Sequence, residues 1–388
     1  MMKYYALLLL AMLVRRAGAA RRRRVLRADD ISLRSIESSE FASSIGDALV
    51  LGREVHQDVL GGTERCSSPS KAWLLEKSSS IESEDLAYFF DNHLQSLPFA
   101  YKLYVADRDE DQNFGSNGKY TEQITQIHSK SQDFWRDSGA EDDIRLLGAH
   151  GEDLADRDKL IPTLKMIFGR SYHNGYTVEE HATEIQDLIE RLPGGYSNPL
   201  LTFNAFFSND AGAILIGDGY FEFQQSQGLE SVGPSYAVTH EHAHHLQYAL
   251  SDFDSDDTSS SDSRKKELMA DALSAFFLYH DSGGDLYGAE IDRIYRSAYS
   301  VGDCEIMDEG HHGTPNERRC ASMWGAELAA SSDASIIDLL ELKSRFNLWY
   351  DGLDYHCTTI DSSSASTLSR TTVMTLIMAG TAATWLGL

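Results

Sequence analysis

Residues 239–248 read Thr-His-Glu-His-Ala-His-His-Leu-Gln-Tyr and contain H-E-x-x-H as His240, Glu241 and His244. No other stretch constrains the fold as tightly. Two imidazoles four positions apart share a face on a helix, where both can reach one ion. Glu241, between them, stands beside that ion and can take a proton from a bound water. A hydrolytic zinc needs a third protein ligand and one open position. A second element must therefore meet this helix at the site.

The run Lys266-Glu267-Leu268-Met269-Ala270-Asp271-Ala272-Leu273-Ser274-Ala275-Phe276-Phe277 follows an acidic, serine-rich gap and reads as that second element, a helix. Glu267 and Asp271 lie four apart on one face. Glu267 can supply the third ligand. Asp271, one turn on, can accept the remaining N–H of a liganding imidazole and fix its tautomer. The competing reading is a polar helix carrying a histidine cluster on its surface.

H-E-x-x-H followed by E-x-x-x-D resembles the gluzincin zinc metallopeptidases. His244-His245-Leu246-Gln247 with Glu267-Leu268-Met269-Ala270-Asp271 is closer still to a group of neutral zinc metallopeptidases carrying H-E-x-x-H-h-x-Q (h apolar or His) and E-L-x-A-D. His312-Gly313-Thr314-Pro315-Asn316-Glu317-Arg318 is similar to their His-Gly-(Thr/Ser)…Arg segment. The resemblance covers about 230–280 and extends loosely to about 330. It implies an α+β, zincin-like fold, with a mixed N-terminal half, a helical C-terminal half and the active site between them. It also gives Gly212–Ile216 the role of an edge strand that pairs with an extended substrate; an ordinary buried strand is the alternative. His312 is the candidate to hold the oxyanion, against a purely structural loop histidine.

Net charge is −26, but residues 1–27 hold eight basic residues and no acid, so residues 28–388 carry −34. A body this acidic repels nucleic acid and anionic membrane surfaces. The four cysteines, Cys66, Cys304, Cys320 and Cys357, form no C-x-x-C pair, which argues against a structural zinc site of cysteines. Their even number in a chain with a leader-like start favours two disulfides over four thiols. Loop length favours Cys304–Cys320 with Cys66–Cys357.

Residues 1–20 combine Lys3, an apolar run at 4–14 and small residues at 17–20, as a signal peptide does. The arginines that follow the run also fit a mitochondrial presequence. Residues 21–98 read as a basic, then Ser-rich arm or pro-segment, with a linker or surface loop at 67–80. Residues 99–350 form the expected catalytic domain and 351–370 a polar spacer. Residues 371–388 are uncharged and mostly apolar, fitting a GPI-attachment signal or tail anchor; a packed C-terminal helix is the alternative. The expected location is secreted or surface-attached through this tail.

Between the ends, 99–106 alternates as a strand does, 121–136 reads as a helix and 144–147 as a strand. Thr177-Val178-Glu179-Glu180 is a capping box opening a helix to about Leu192. Residues 201–207 and 213–216 read as strands, and Gly233-Pro234 opens the H-E-x-x-H helix. Helices are expected over about 265–280, 289–299, 318–330 and 335–348. The function these residues imply is zinc-dependent peptide-bond hydrolysis, with a peptide or protein substrate and Glu241 as general base. The rival is a non-catalytic secreted or surface binding protein that keeps the fold.

Overall fold

The computed structural model describes residues 66–136, 144–169, 172, 176–250, 260–308, 310–333 and 335–358. The expected leader at 1–20 and tail at 371–388 lie outside them. No described helix is long and apolar enough to cross a membrane. The fold is α+β: a mixed N-terminal part and a helical C-terminal part, with the ligand helices between them.

The N-terminal part opens with α1 (Pro69–Ser78), α2 (Ser83–Asp91) and α3 (Leu97–Tyr104). Ser68 caps α1 by accepting from the Lys71 backbone N–H, and Trp73 and Leu74 are buried. The linker expected at 67–80 is therefore part of the core. The strand expected at 99–106 is also corrected. Pro98 at the first turn and buried Phe99, Ala100 and Tyr101 make it helix α3. A short apolar run buried on all sides fits either element, and its packing decided here.

Next come α4 (Thr121–Trp135), β1 (Arg145–Ala149), α5 (Arg157–Phe168) and α6 (Val178–Arg191). On α4 the expected anchors Ile124, Ile127, Phe134 and Trp135 are buried. The capping box of α6 is present in both halves: Glu180 N–H donates to Thr177 Oγ1, and Thr177 N–H donates to Glu180 Oε2.

Strands β2 (Ala205–Ser208) and β3 (Ala213–Gly217) complete a three-stranded sheet of order β1-β3-β2. β1 runs parallel and β2 antiparallel to β3, with Leu147 opposite Leu215 and Phe206 opposite Leu215. The strand expected from 201 begins only at Ala205, because Pro199–Leu201 forms a 3₁₀ turn. Gly212–Ile216 is not an edge. All five β3 residues are buried and both its sides are paired, which leaves β1 and β2 as the edges among the described residues.

α7 (Asp218–Ser226) leads to α8 (Gly233–Ala249), α9 (Ser260–Tyr279), α10 (Ala289–Val301), α11 (Pro315–Ala330), α12 (Leu339–Tyr350) and α13 (Leu353–Thr358). α8 packs against α4, β2 and β3 on one side and α9 on the other. α11 packs along α9, and Gly325 permits the closest approach: a Cβ there would lie 2.0 Å from the Ala272 carbonyl oxygen. The chain forms two disulfides, as expected, but not the favoured pairs. Cys66 joins Cys304, and Cys320 joins Cys357. The fold sets these partners: Cys320 on α11 meets the short α13, while Cys304 lies beside the N-terminal segment, where Lys71 also pairs with Glu305.

Candidate metal centre

Helix α8 is buried along nearly its whole first three turns. His240 and His244 share one face, their rings 4.8 Å apart and almost perpendicular. Helix α9 is buried from Glu267 to Tyr279 and presents Glu267 to both rings. One Glu267 oxygen, Oε2, lies 3.3 Å from His240 Nε2; the other, Oε1, lies 3.4 Å from His244 Nε2. The three side chains offer ligand atoms within 4.8 Å of one another, the only such group of three or more His, Cys, Asp or Glu residues among the described residues.

This donor set fits zinc. Ligand distances of about 2.0–2.2 Å in a tetrahedron require donor-to-donor edges of about 3.3–3.6 Å. Each Nε2 has that spacing from one Glu267 oxygen, His240 from Oε2 and His244 from Oε1. Three protein donors also leave a fourth position open, as hydrolytic zinc requires.

Each imidazole is held from behind. His240 Nδ1 lies 3.0 Å from Asp271 Oδ1, one turn after Glu267 on α9. His244 Nδ1 lies 2.9 Å from Gln247 Oε1, and the Gln247 amide nitrogen donates to the Lys266 carbonyl at 2.6 Å. With Nδ1 carrying the proton in both rings, the Nε2 lone pairs face Glu267.

Asp271 is fully buried. Burial pushes its carboxyl up, but Arg318 and His240 outweigh that and hold it below its ordinary value. Arg318, from the first turn of α11, is itself fully buried. Its Nε donates to Asp271 Oδ2 at 2.7 Å and its Nη2 to Asp271 Oδ1 at 3.1 Å. Tyr236 donates to Asp271 Oδ1 at 2.5 Å and accepts from Arg318 Nη2 at 3.1 Å.

The other α8 histidines serve packing. His242 bonds Ser131 Oγ through Nδ1 at 2.7 Å, and complete burial lowers its pKa so that it stays neutral. The His245 ring lies against Phe207 of β2.

Glu241 is buried on α8 beside the first ligand. His312 is not among the clustered ligand atoms. It sits in the loop before α11, where its backbone N–H donates to Asp303 Oδ2 at 2.7 Å and its Nδ1 lies 3.3 Å from the same oxygen. His311 Nδ1 lies 2.5 Å from Asp303 Oδ1. Burial raises the Asp303 carboxyl, but the hydrogen bonds from both histidines prevail and hold it well below its ordinary value. The loop passes close to α9, with Gly313 beside Leu268 and Arg318.

Sequence reasoning thus found His240, His244, Glu267 and Asp271, which the fold brings together. It assigned nothing to Gln247, Tyr236 or Arg318. Two of these carried a signal. Gln247 stands three residues after His244, on its helical face, and Arg318 closes the His-Gly-Thr…Arg stretch.

The arrangement is that of a gluzincin-type site, H-E-x-x-H on one helix and a glutamate on the next. No protein-family model, curated protein or solved structure matches this chain.

Proposed function

We propose that this chain is a zinc-dependent metallopeptidase of the neutral zinc metallopeptidase type, with His240, His244 and Glu267 as ligands. The observation that carries the reading is the convergence of the two Nε2 atoms on the Glu267 carboxylate while both Nδ1 atoms are engaged behind. Zinc held there supplies a more acidic water and polarises the scissile carbonyl. Glu241 takes the proton from the attacking water onto its carboxylate and delivers it to the leaving amine. The outer edge of β2, which pairs with no second strand among the described residues, suits an extended peptide backbone, because β2 packs on the metal helix through Phe207. His312, held by Asp303, is the group we assign to the developing oxyanion. The two disulfides suit an oxidising compartment and so favour the secreted or surface location.

The test is a peptide-library cleavage assay with and without chelator, beside a zinc measurement. Chelator-sensitive cleavage with one zinc per chain is the expected result. One bound zinc with no cleavage of any peptide would make the chain a binding protein.

A further inference from the structure

We propose that Arg318 is a positioning residue for metal capture: its guanidinium locks His240 and Glu267, which sit on different helices, into the ligating arrangement before the metal arrives. This inference rests on the zinc reading of the triad.

The guanidinium meets the site at four places. Its fork grips both Asp271 oxygens, at 2.7 and 3.1 Å. Nη2 also donates to Tyr236 Oη at 3.1 Å and lies 3.4 Å from His240 Nε2. Nη1 lies 3.6 Å from Glu267 Oε2. One planar group from α11 therefore touches α8 through Tyr236 and His240, and α9 through Glu267 and Asp271. A bidentate fork fixes the plane of the carboxylate it holds as well as its position. Asp271 so held presents Oδ1 to His240 Nδ1 in one orientation, which aims His240 Nε2 at Glu267.

Charge gives a second reason for the arginine. Glu267 and Asp271 are both buried, one turn apart. Two carboxylates in that setting repel each other and pay for lost hydration unless a cation lies between them. Arg318 is that cation and reaches both. By reaching both carboxylates, Arg318 lowers the cost of bringing Glu267 beside His240, and capture then needs no rearrangement of the two helices.

Lysine cannot replace the fork, since an ammonium on a flexible stem grips one point at a time. The experiment is a zinc titration against a competing chelator on the full chain, for wild type, Arg318→Lys, Arg318→Met and Tyr236→Phe. Thermal melts with and without zinc accompany it. Losses of about 10-fold to 100-fold in zinc affinity are expected for the arginine variants, with methionine the weaker binder. Tyr236→Phe, which leaves the fork intact, is expected near the lower end of that range. Should Arg318→Met fail to fold, Arg318→Lys and Tyr236→Phe carry the test. If both bind zinc as tightly as wild type, the inference is overturned, even where the melts show lower stability, because the arginine would then act on the fold alone. If wild type itself takes up no zinc, the triad reading fails together with the inference.

Discussion

Gln247 accepts from His244 Nδ1 at 2.9 Å and donates its amide to the Lys266 carbonyl at 2.6 Å, so one side chain ties the second ligand to the start of the ligand stretch on α9. The amide cannot turn over without losing both bonds. Gln247→Ala is expected to lower zinc affinity by about 10–100-fold while the fold persists. Gln247→Glu keeps the acceptor and is expected to lose less. Chelator competition on both variants checks the order.

Glu241 is expected to matter for chemistry and not for metal. Glu241→Gln keeps size and hydrogen bonding but cannot accept the water's proton, so peptidase rate drops by ~10²–10⁴ at unchanged zinc content. His244→Ala or Glu267→Ala removes a ligand and loses zinc and rate together. Full activity in Glu241→Gln, or stoichiometric zinc in Glu267→Ala, would sink the assignment of roles.

Gly325 sets the distance between α11 and α9. Gly325→Ala would place a methyl 2.0 Å from the Ala272 carbonyl oxygen. Helix backbones cannot yield there cheaply, so a loss of about 1–3 kcal/mol is expected in urea unfolding. Arg318 lies two turns earlier on the same helix, and zinc affinity should fall alongside stability. Unchanged affinity at reduced stability would show that the helix tilts without carrying Arg318 away.

His181 on α6 is a pH probe outside the triad. It is fully buried, bonded to Tyr172 Oη at 2.9 Å and Asn92 Oδ1 at 3.2 Å, and burial lowers its pKa to about 4. The unfolded chain takes up this proton near pH 6.5, well before the native state does. Stability is therefore lost as pH falls from about 6.5 to about 4, by about 3 kcal/mol in all. Urea midpoints across that window, compared with His181→Gln, test it. An equal slope in both proteins would mean that His181 titrates normally.

The features legible in the sequence were those whose physics is local. The H-E-x-x-H spacing, the Thr177–Glu180 capping box and Pro234 at a helix start each act within one turn. Glu267 and Asp271 were legible because their own spacing repeated the helical period. Whatever depends on distant partners was not. Phe99–Tyr101 became helix because of what surrounds it. β3 is central because β1 and β2 arrive on either side, from 68 residues upstream in the case of Arg145 and Ala213. Arg318 meets Asp271 across 47 residues, and no periodicity reports such a meeting.

The Cys66–Cys304 bond spans 238 residues with no cysteine between. During synthesis at about 5–20 residues per second, Cys66 waits roughly 12–48 s before any partner exists. When Cys304 emerges, Cys320 follows within seconds, and the nearer, non-native pair becomes chemically available. Correct oxidation therefore depends on α1 docking against α10, which it contacts and which leads into Cys304. The order in which the ribosome delivers the chain works against the native bond, and that docking must precede oxidation to reverse the bias.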